Sequence, residues 1–153
     1  MVLSCSKDSN PADDILGTWT VESATFSAIV GTKTLTQFLI DEVGYTEAEA
    51  QQFIELFTLK MQQAFSGTIE MKSDNTYSSN IGGEDDSGTW SLISDDTKLV
   101  IDSDTDDPMT LDIIELTSSK LRVQGTYFEE EDLNDDEVPE TINIDIELTF
   151  IKI

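Results

Sequence analysis

The stretch LGTWTVES, Leu16–Ser23, recurs in a similar form as SGTWSLIS, Ser87–Ser94. Both begin near a Gly-Thr-Trp step and continue in a strand-like alternation, and a weaker echo, QGTYFEE, stands at Gln124–Glu130. Alternation is typical of a half-buried strand, glycine lets the backbone bend close to a neighbouring strand, and tryptophan supplies a large apolar side chain. We therefore interpret the two copies as strand starts in one β-structure rather than as a binding motif.

Strand-like segments account for most of the chain around these copies. The first is Leu16–Val30, whose inward side changes between Val21 and Phe26, which predicts a bulge or bend. The further predicted strands are Thr68–Lys72, Thr76–Ile81, Thr89–Ile93, Lys98–Ser103, Met109–Leu116, Lys120–Phe128 and Thr141–Ile151. Because short loops make sequential strands antiparallel neighbours, these eight strands predict a mainly β, up-and-down barrel. An open two-sheet sandwich is the alternative.

Residues 33–65, directly after the first strand, have a different pattern. Apolar residues recur at helical spacing on both sides of Gly44, which ends the first of two predicted helices. Thr46 and Glu49 form a capping-box pattern that opens the second helix. The segment is therefore predicted to be an inserted two-helix hairpin. Its stripe is too apolar to remain in water, so we expect it to cover a barrel face, to close the barrel mouth as a lid, or to meet a partner.

The composition excludes several classes of function. With 32 acidic and 8 basic residues the net charge is −24, so the surface lacks the cations by which proteins bind nucleic acids or anionic lipids. The chain has no histidine and one cysteine, which removes the commonest general base, the commonest metal ligand and any internal disulfide. No apolar run approaches the ~20 residues of a membrane-spanning helix. We expect one domain, no enzyme activity and no cofactor.

The first residues, MVLSCSKDSNPADD, indicate a lipid anchor. Val2-Leu3-Ser4 before Cys5 resembles the end of a bacterial lipoprotein signal, and the polar residues that follow are typical of a flexible tether. We predict lipidation at Cys5, a tether over residues 1–14 and the barrel domain over residues 15–153. The alternative is a disordered tail with a chance cysteine.

Two stretches resemble the lipocalins and their wider calycin relatives. ILGTWTVES, at 15–23, is similar to the Gly-x-Trp signature of that superfamily, and MKSDNTYSSN with SGTWSLISDDTKLVI, at 71–80 and 87–101, resembles the middle of bacterial lipocalin-like lipoproteins. The resemblance implies that Trp19 plugs one end of a barrel that binds a small hydrophobic molecule, in a lipoprotein of the Gram-negative cell envelope. Lipocalins have a loop where this chain has its hairpin, whereas fatty-acid-binding proteins place a helix-turn-helix lid there.

Candidate site residues follow from the inward side of the predicted strands and from the hairpin stripe. For the barrel interior or mouth they are Trp19, Phe26, Phe53, Phe57, Met71, Tyr77, Trp90, Ile101, Leu111 and Tyr127. Such sets build solid cores at least as often as cavities, and small or polar inward residues such as Ser79 and Gly125 are a weak indication of free space.

Acidic loops give weak candidates for a calcium site. Asp102, Asp104 and Asp106 are spaced like the opening of a calcium loop, but Asp107 and Ile113 stand where that loop requires glycine and glutamate. The predicted acidic loop Glu129–Glu140 also concentrates carboxylates. The alternative is that both are solvated acidic loops.

Two functions therefore remain open. The first is a non-enzymatic envelope lipoprotein that binds a small hydrophobic molecule in its barrel, reaching the membrane only through Cys5 and acting as a monomer. The second is a surface interaction module with a filled core, whose acidic loops or hairpin bind a protein partner or Ca²⁺. A cavity in the barrel would distinguish them.

Overall fold

Residues 10–153 are described by a computed structural model, in which they form nine strands and three α-helices. The strands are β1 (Gly17–Val30), β2 (Lys33–Thr34), β3 (Thr68–Met71), β4 (Thr76–Ser79), β5 (Asp86–Ile93), β6 (Lys98–Ser103), β7 (Met109–Leu116), β8 (Lys120–Glu131) and β9 (Glu140–Lys152). The helices are α1 (Pro11–Asp14), α2 (Leu35–Phe38) and α3 (Glu47–Ala64).

The sheet closes on itself because β1 has two partners. Gly17–Thr20 pairs with β3, Trp19–Val30 pairs with β9, and the other strands follow in the order β3 to β9, each antiparallel to the next. A register shift between Val21 and Ser23 in the pairing with β9 marks a bulge, and β1 pairs with β3 only before this bulge. The eight-stranded up-and-down barrel and the bend are thus confirmed, and the open sandwich is wrong. β2 is a short extension beside the end of β1.

The predicted two-helix insert after the first strand is confirmed, with its local caps. α2 continues as a π-helical turn over Leu39–Val43, and Gly44 ends it with a left-handed φ of 84° that glycine adopts without strain. Thr46 caps α3, and its amide donates to Glu49 Oε2 at 2.8 Å. Lys33 and Thr34, predicted as part of the hairpin, instead form β2, since they pair with the end of β1.

Strand lengths differ around the barrel. β1, β8 and β9 contain 14, 12 and 13 residues, while β3 and β4 contain four each. The long strands extend beyond the others, and the hairpin packs on their extended inner face. The buried members of this second core cluster are Val30, Leu35, Phe38, Leu39, Ala50, Met61, Ile142 and Ile144.

The observed strand pairing corrects the predicted boundaries of two strands. Glu129–Glu131, predicted as part of an acidic loop, pair with Glu140–Ile142, because the long β8–β9 hairpin keeps its hydrogen-bonded register nearly to its tip. The loop itself is therefore shorter, at 132–139. β5 begins at Asp86 rather than at Thr89, since Asp86 and Ser87 pair with Ser79 and Ser78.

The first core cluster lies inside the barrel, and its buried members are Ile15, Trp19, Ile69, Met71, Tyr77, Trp90, Leu99, Leu111, Leu121, Val123, Ile146, Leu148 and Phe150. We call the end of the barrel where β1 begins the closed end. Trp19 is fully buried there, and its indole Nε1–H donates to the Ile15 carbonyl at 2.7 Å. Lys152 lies over the indole, with its Nζ 4.6 Å from the ring centroid and 2.6 Å from the Asp14 carbonyl oxygen. Burial lowers the pKa of Lys152, although the negative charge of Asp14 acts in the opposite direction.

Residues 11–14, which the sequence places in the tether, form the single turn of α1. Asn10 caps this turn by accepting from the Ala12 amide, and Ile15 directly after it is fully buried. Cys5 and its predicted lipidation lie outside the described residues. None of the helices in residues 10–153 combines the length and the apolar character needed to cross a membrane.

Candidate ligand cavity

A cavity of about 390 Å³ lies inside the barrel. The cavity opens at the end of the barrel opposite the closed end. The β4–β5 and β6–β7 loops, which line the cavity, lie at this end by strand direction, and so does the hairpin. The apolar lining consists of Phe65, Ile69, Met71, Tyr77, Ile81, Leu99, Ile101, Leu111, Leu121, Val123, Leu148 and Phe150. The cavity is thus a cup with an apolar wall and floor, and most of its apolar lining belongs to the first core cluster.

The mouth of the cavity is polar and acidic. The β4–β5 loop contributes Glu84 and Asp85, and Asp86 stands at the start of β5. The β6–β7 side contributes Ser103, Thr105, Asp106 and Asp107. Met109, which is 46% exposed, is an apolar residue at this edge. We call the five carboxylates at 84, 85, 86, 106 and 107 the acidic rim.

A hydrogen-bond network connects the wall of the cavity to this rim. The Tyr77 hydroxyl donates to Asp86 Oδ2 at 2.5 Å, and Ser103 Oγ donates to Asp86 Oδ1 at 2.7 Å. Ser103 Oγ also accepts from the amides of Thr105 and Asp106, at 3.1 and 3.2 Å. One residue thereby fixes both the Asp86 carboxylate and the start of the β6–β7 loop.

The network sets the charge at this point of the wall. Burial alone would raise the pKa of the Asp86 carboxyl, but donors from Tyr77, Ser103 and the Ser87 amide outweigh it and hold that pKa below its ordinary value. Burial, followed by the hydrogen bond with Asp86, raises the pKa of the Tyr77 hydroxyl. Asp86 is therefore an anion and Tyr77 a neutral donor at physiological pH.

Four of the ten predicted ligand-binding residues line this cavity: Met71, Tyr77, Ile101 and Leu111. The tryptophans do not. Trp19 seals the closed end, and Trp90 is a core residue whose Nε1–H donates to the Lys72 carbonyl at 3.1 Å.

The other four predicted residues, Phe26, Phe53, Phe57 and Tyr127, pack with the second core cluster. Tyr127 OH donates to Met61 Sδ at 3.3 Å, and burial, together with the charge of Glu129, raises its pKa to about 12. Phe65, at the end of the hairpin, lies 5.7 Å from Phe26 and 6.2 Å from Tyr127 between ring centroids. Phe65 also lines the cavity, so the hairpin forms part of its wall.

The calcium candidates are not brought together. Asp102 is exposed on the outer side of β6, since Ile101 and Ser103 point into the cavity. Asp104 Oδ2 accepts from Ser87 Oγ at 3.0 Å, and Asp106 stands on the acidic rim. Within residues 10–153 no three acidic, cysteine or histidine side chains are placed to hold a metal ion.

Sequence reasoning missed Asp86 and Ser103. The signal was present in strand parity: Asp86 stands two residues before Gly88, and Ser103 stands two residues after Ile101, so both continue an inward row. The glycine- and aspartate-rich segment before Gly88 instead predicted a turn. No pattern in a single segment could have indicated the acidic rim, because two separate loops form it.

The chain matches no model of a known protein family and no curated protein sequence. Among solved structures it is similar to the crystal structure of a DUF4847 family protein from Bacteroides vulgatus ATCC 8482. The two are 14% identical, the likeness covers 84% of this chain and 90% of the other, and the TM-score is 0.39. At these values the likeness assigns neither a family nor a ligand, so function has to be inferred from the side chains of the cavity.

Proposed function

We propose that this protein is a non-enzymatic, lipocalin-like binding protein that holds a small hydrophobic molecule in its barrel. The observation that carries the proposal is the cup of about 390 Å³ with an apolar floor. Its volume falls within the roughly 300–1,000 Å³ typical of small-molecule sites, which are also mostly apolar with a few polar groups. The Gly-Thr-Trp start of β1 supports the lipocalin-like interpretation.

The physical basis of binding is burial of apolar ligand surface. Each Å² of apolar surface removed from water contributes roughly 25 cal/mol before ordering costs. Floor residues such as Leu99, Val123 and Leu148 stand on strands whose hydrogen bonds fix them, so the cup needs little reorganisation to accept a ligand. The alternative, an interaction module with a filled core, is disfavoured because the barrel is not filled.

Filling the cup tests the proposal. Ile101 lines the cavity, whereas Val100 beside it points away because side chains alternate along β6. Ile101→Trp should weaken binding of the neutral fluorescent probe N-phenyl-1-naphthylamine by about tenfold or more, which corresponds to about 1.4 kcal/mol. Val100→Trp, the matched control, should leave it unchanged.

A second cavity variant and a measurement of folding distinguish a filled cavity from a misfolded protein. Met71→Phe also adds bulk to the floor, and circular dichroism would report whether each variant keeps its β-structure. If a folded Ile101→Trp or Met71→Phe protein bound the probe as tightly as the parent, the site would lie elsewhere. If the parent itself bound no neutral apolar probe, the proposed function would be wrong.

The envelope location is a separate part of the proposal and rests on Val2-Leu3-Ser4-Cys5. Expression of the full gene in a Gram-negative host with radiolabelled palmitate should label the protein and place it in the membrane fraction. Cys5→Ala should abolish both effects, while Ser4→Ala, which keeps the cysteine and a small residue before it, should not. Equal labelling of the Cys5→Ala protein would contradict the anchor.

A further inference from the structure

The ionisable residues around the cavity are of two kinds. Five are the carboxylates of the acidic rim, and the sixth is Tyr77, which is neutral at physiological pH. No lysine or arginine stands among the lining residues. The charged groups at the mouth of the cavity are therefore all negative. A cleft lined by one sign of charge raises the local concentration of ions of the opposite sign.

The basic residues are segregated away from this mouth. Among residues 10–153, Lys72, Lys98, Lys120, Arg122 and Lys152 stand in the closed-end half of the barrel, by strand direction. Lys33 and Lys60 belong to the insert, and Lys33 Nζ contacts Glu42 Oε1 at 2.6 Å. Within the described residues, none of these cations forms an ion pair with the acidic rim.

One rim carboxylate is built into the cavity wall. Asp86 Oδ1 accepts from Ser103 Oγ and from the Ser87 amide, and Oδ2 accepts from Tyr77. A carboxylate oxygen has two lone pairs, so Oδ2 can accept a further donor. The Tyr77 ring below it lines the same cavity, which places an anionic acceptor directly above an apolar floor.

We propose that the hydrophobic ligand carries a positive charge: a small amphiphile whose apolar body fills the cup and whose ammonium group lies at the acidic rim. The inference rests on the proposed function, because it assigns a chemical class to the ligand of that same cavity. A fatty acid fits poorly, since its carboxylate would stand unpaired among five others. Like-charge contacts of this kind are how a binding site rejects a wrong ligand.

Three ligands with the same chain length test the assignment: decyltrimethylammonium, 1-decanol and decanoate, each titrated by displacement of N-phenyl-1-naphthylamine. We expect the ammonium to bind most tightly, the alcohol less tightly and the carboxylate least. The advantage of the ammonium over the alcohol should shrink as salt is raised from about 0.01 M to about 1 M, because the Debye length falls from about 30 Å to about 3 Å.

Neutralising two carboxylates of the acidic rim tests whether the charge at the mouth, rather than the net charge of the protein, attracts the ammonium group. Asp106→Asn/Asp107→Asn should weaken binding of the ammonium roughly fivefold, the effect expected of two exposed charge pairs, and leave 1-decanol unchanged. Asp95→Asn/Asp96→Asn is the matched control: it makes the same two changes in the β5–β6 turn at the closed end, where φ values of 55° and 60° suit asparagine. This control should leave the affinity for the ammonium unchanged.

The outcomes distinguish failure of the cationic assignment from failure of the proposed function. If 1-decanol binds and the ammonium binds no more tightly, the cavity is a ligand site but the cationic assignment is wrong. If neither binds, the proposed function itself fails. If tetramethylammonium, which has no chain, competes as well as decyltrimethylammonium, the rim merely collects cations and the inference is overturned.

Discussion

The two ends of the barrel use large and small side chains in opposite ways. At the closed end, Ile15 and Trp19 are fully buried and Lys152 covers the indole. At the open end, the inward positions nearest the mouth include Ser79 and Ser103, and a cavity of about 390 Å³ remains. One closed sheet therefore supports a solid plug and an empty cup, and inward side-chain volume decides which forms.

The largest expected effect is at the plug. Trp19→Ala should lower the free energy of unfolding by about 3–5 kcal/mol, because it removes a fully buried indole and leaves a cavity. Urea unfolding followed by circular dichroism measures this change. Trp19→Phe keeps an aromatic ring but loses the hydrogen bond to the Ile15 carbonyl, so it should cost less. A loss of about 0.5 kcal/mol or less for Trp19→Ala would contradict the plug, since substitutions of surface residues usually change stability by no more than this.

An intermediate effect is expected at the wall of the cup. Tyr77→Phe removes the hydroxyl that donates to Asp86 Oδ2, and a hydrogen bond to a charged group contributes about 1.5–3 kcal/mol. Tyr127→Phe is the matched control on the filled side, because its hydroxyl donates only to the Met61 thioether, a weak acceptor. The control should therefore cost less in the same urea experiment.

The same substitution has a pH signature. The folded-state pKa of Asp86 is lowered below its ordinary value of 3.8, so its contribution to stability is complete above 3.8 and is lost as pH falls through the folded-state pKa. Tyr77→Phe should move that pKa upward, which NMR titration of Asp86 detects, and should reduce the loss of stability as the pH falls below 3.8. An unchanged titration would show that the Tyr77 hydroxyl does not hold Asp86 ionised.

Much of the fold could be predicted because the decisive signals are local. The alternation of Ile142, Ile144 and Ile146 gives the inward face of β9, and the Thr46–Glu49 cap is complete within four residues. The cup could be predicted only in part. Inward parity identified Met71, Tyr77, Ile101 and Leu111 as candidates, but free volume depends on how side chains from several strands meet. The sequence predicts that the hairpin packs on the barrel. It does not predict which aromatic residues the hairpin covers, because this depends on how far each strand extends.

The smallest expected effect compares one substitution at a filled and at a hollow position. Ile144→Val, at a fully buried residue beneath the hairpin, should cost about 0.5–1.5 kcal/mol, the usual value for this change in a packed core. Ile101→Val should cost less, because one side of Ile101 faces the cavity and its lost methyl group has fewer packing partners there. Unfolding midpoints and m-values in urea measure both. Equal costs would mean that the cup is collapsed in solution, and a larger cost at Ile101 would reverse the assignment of the filled and hollow sides.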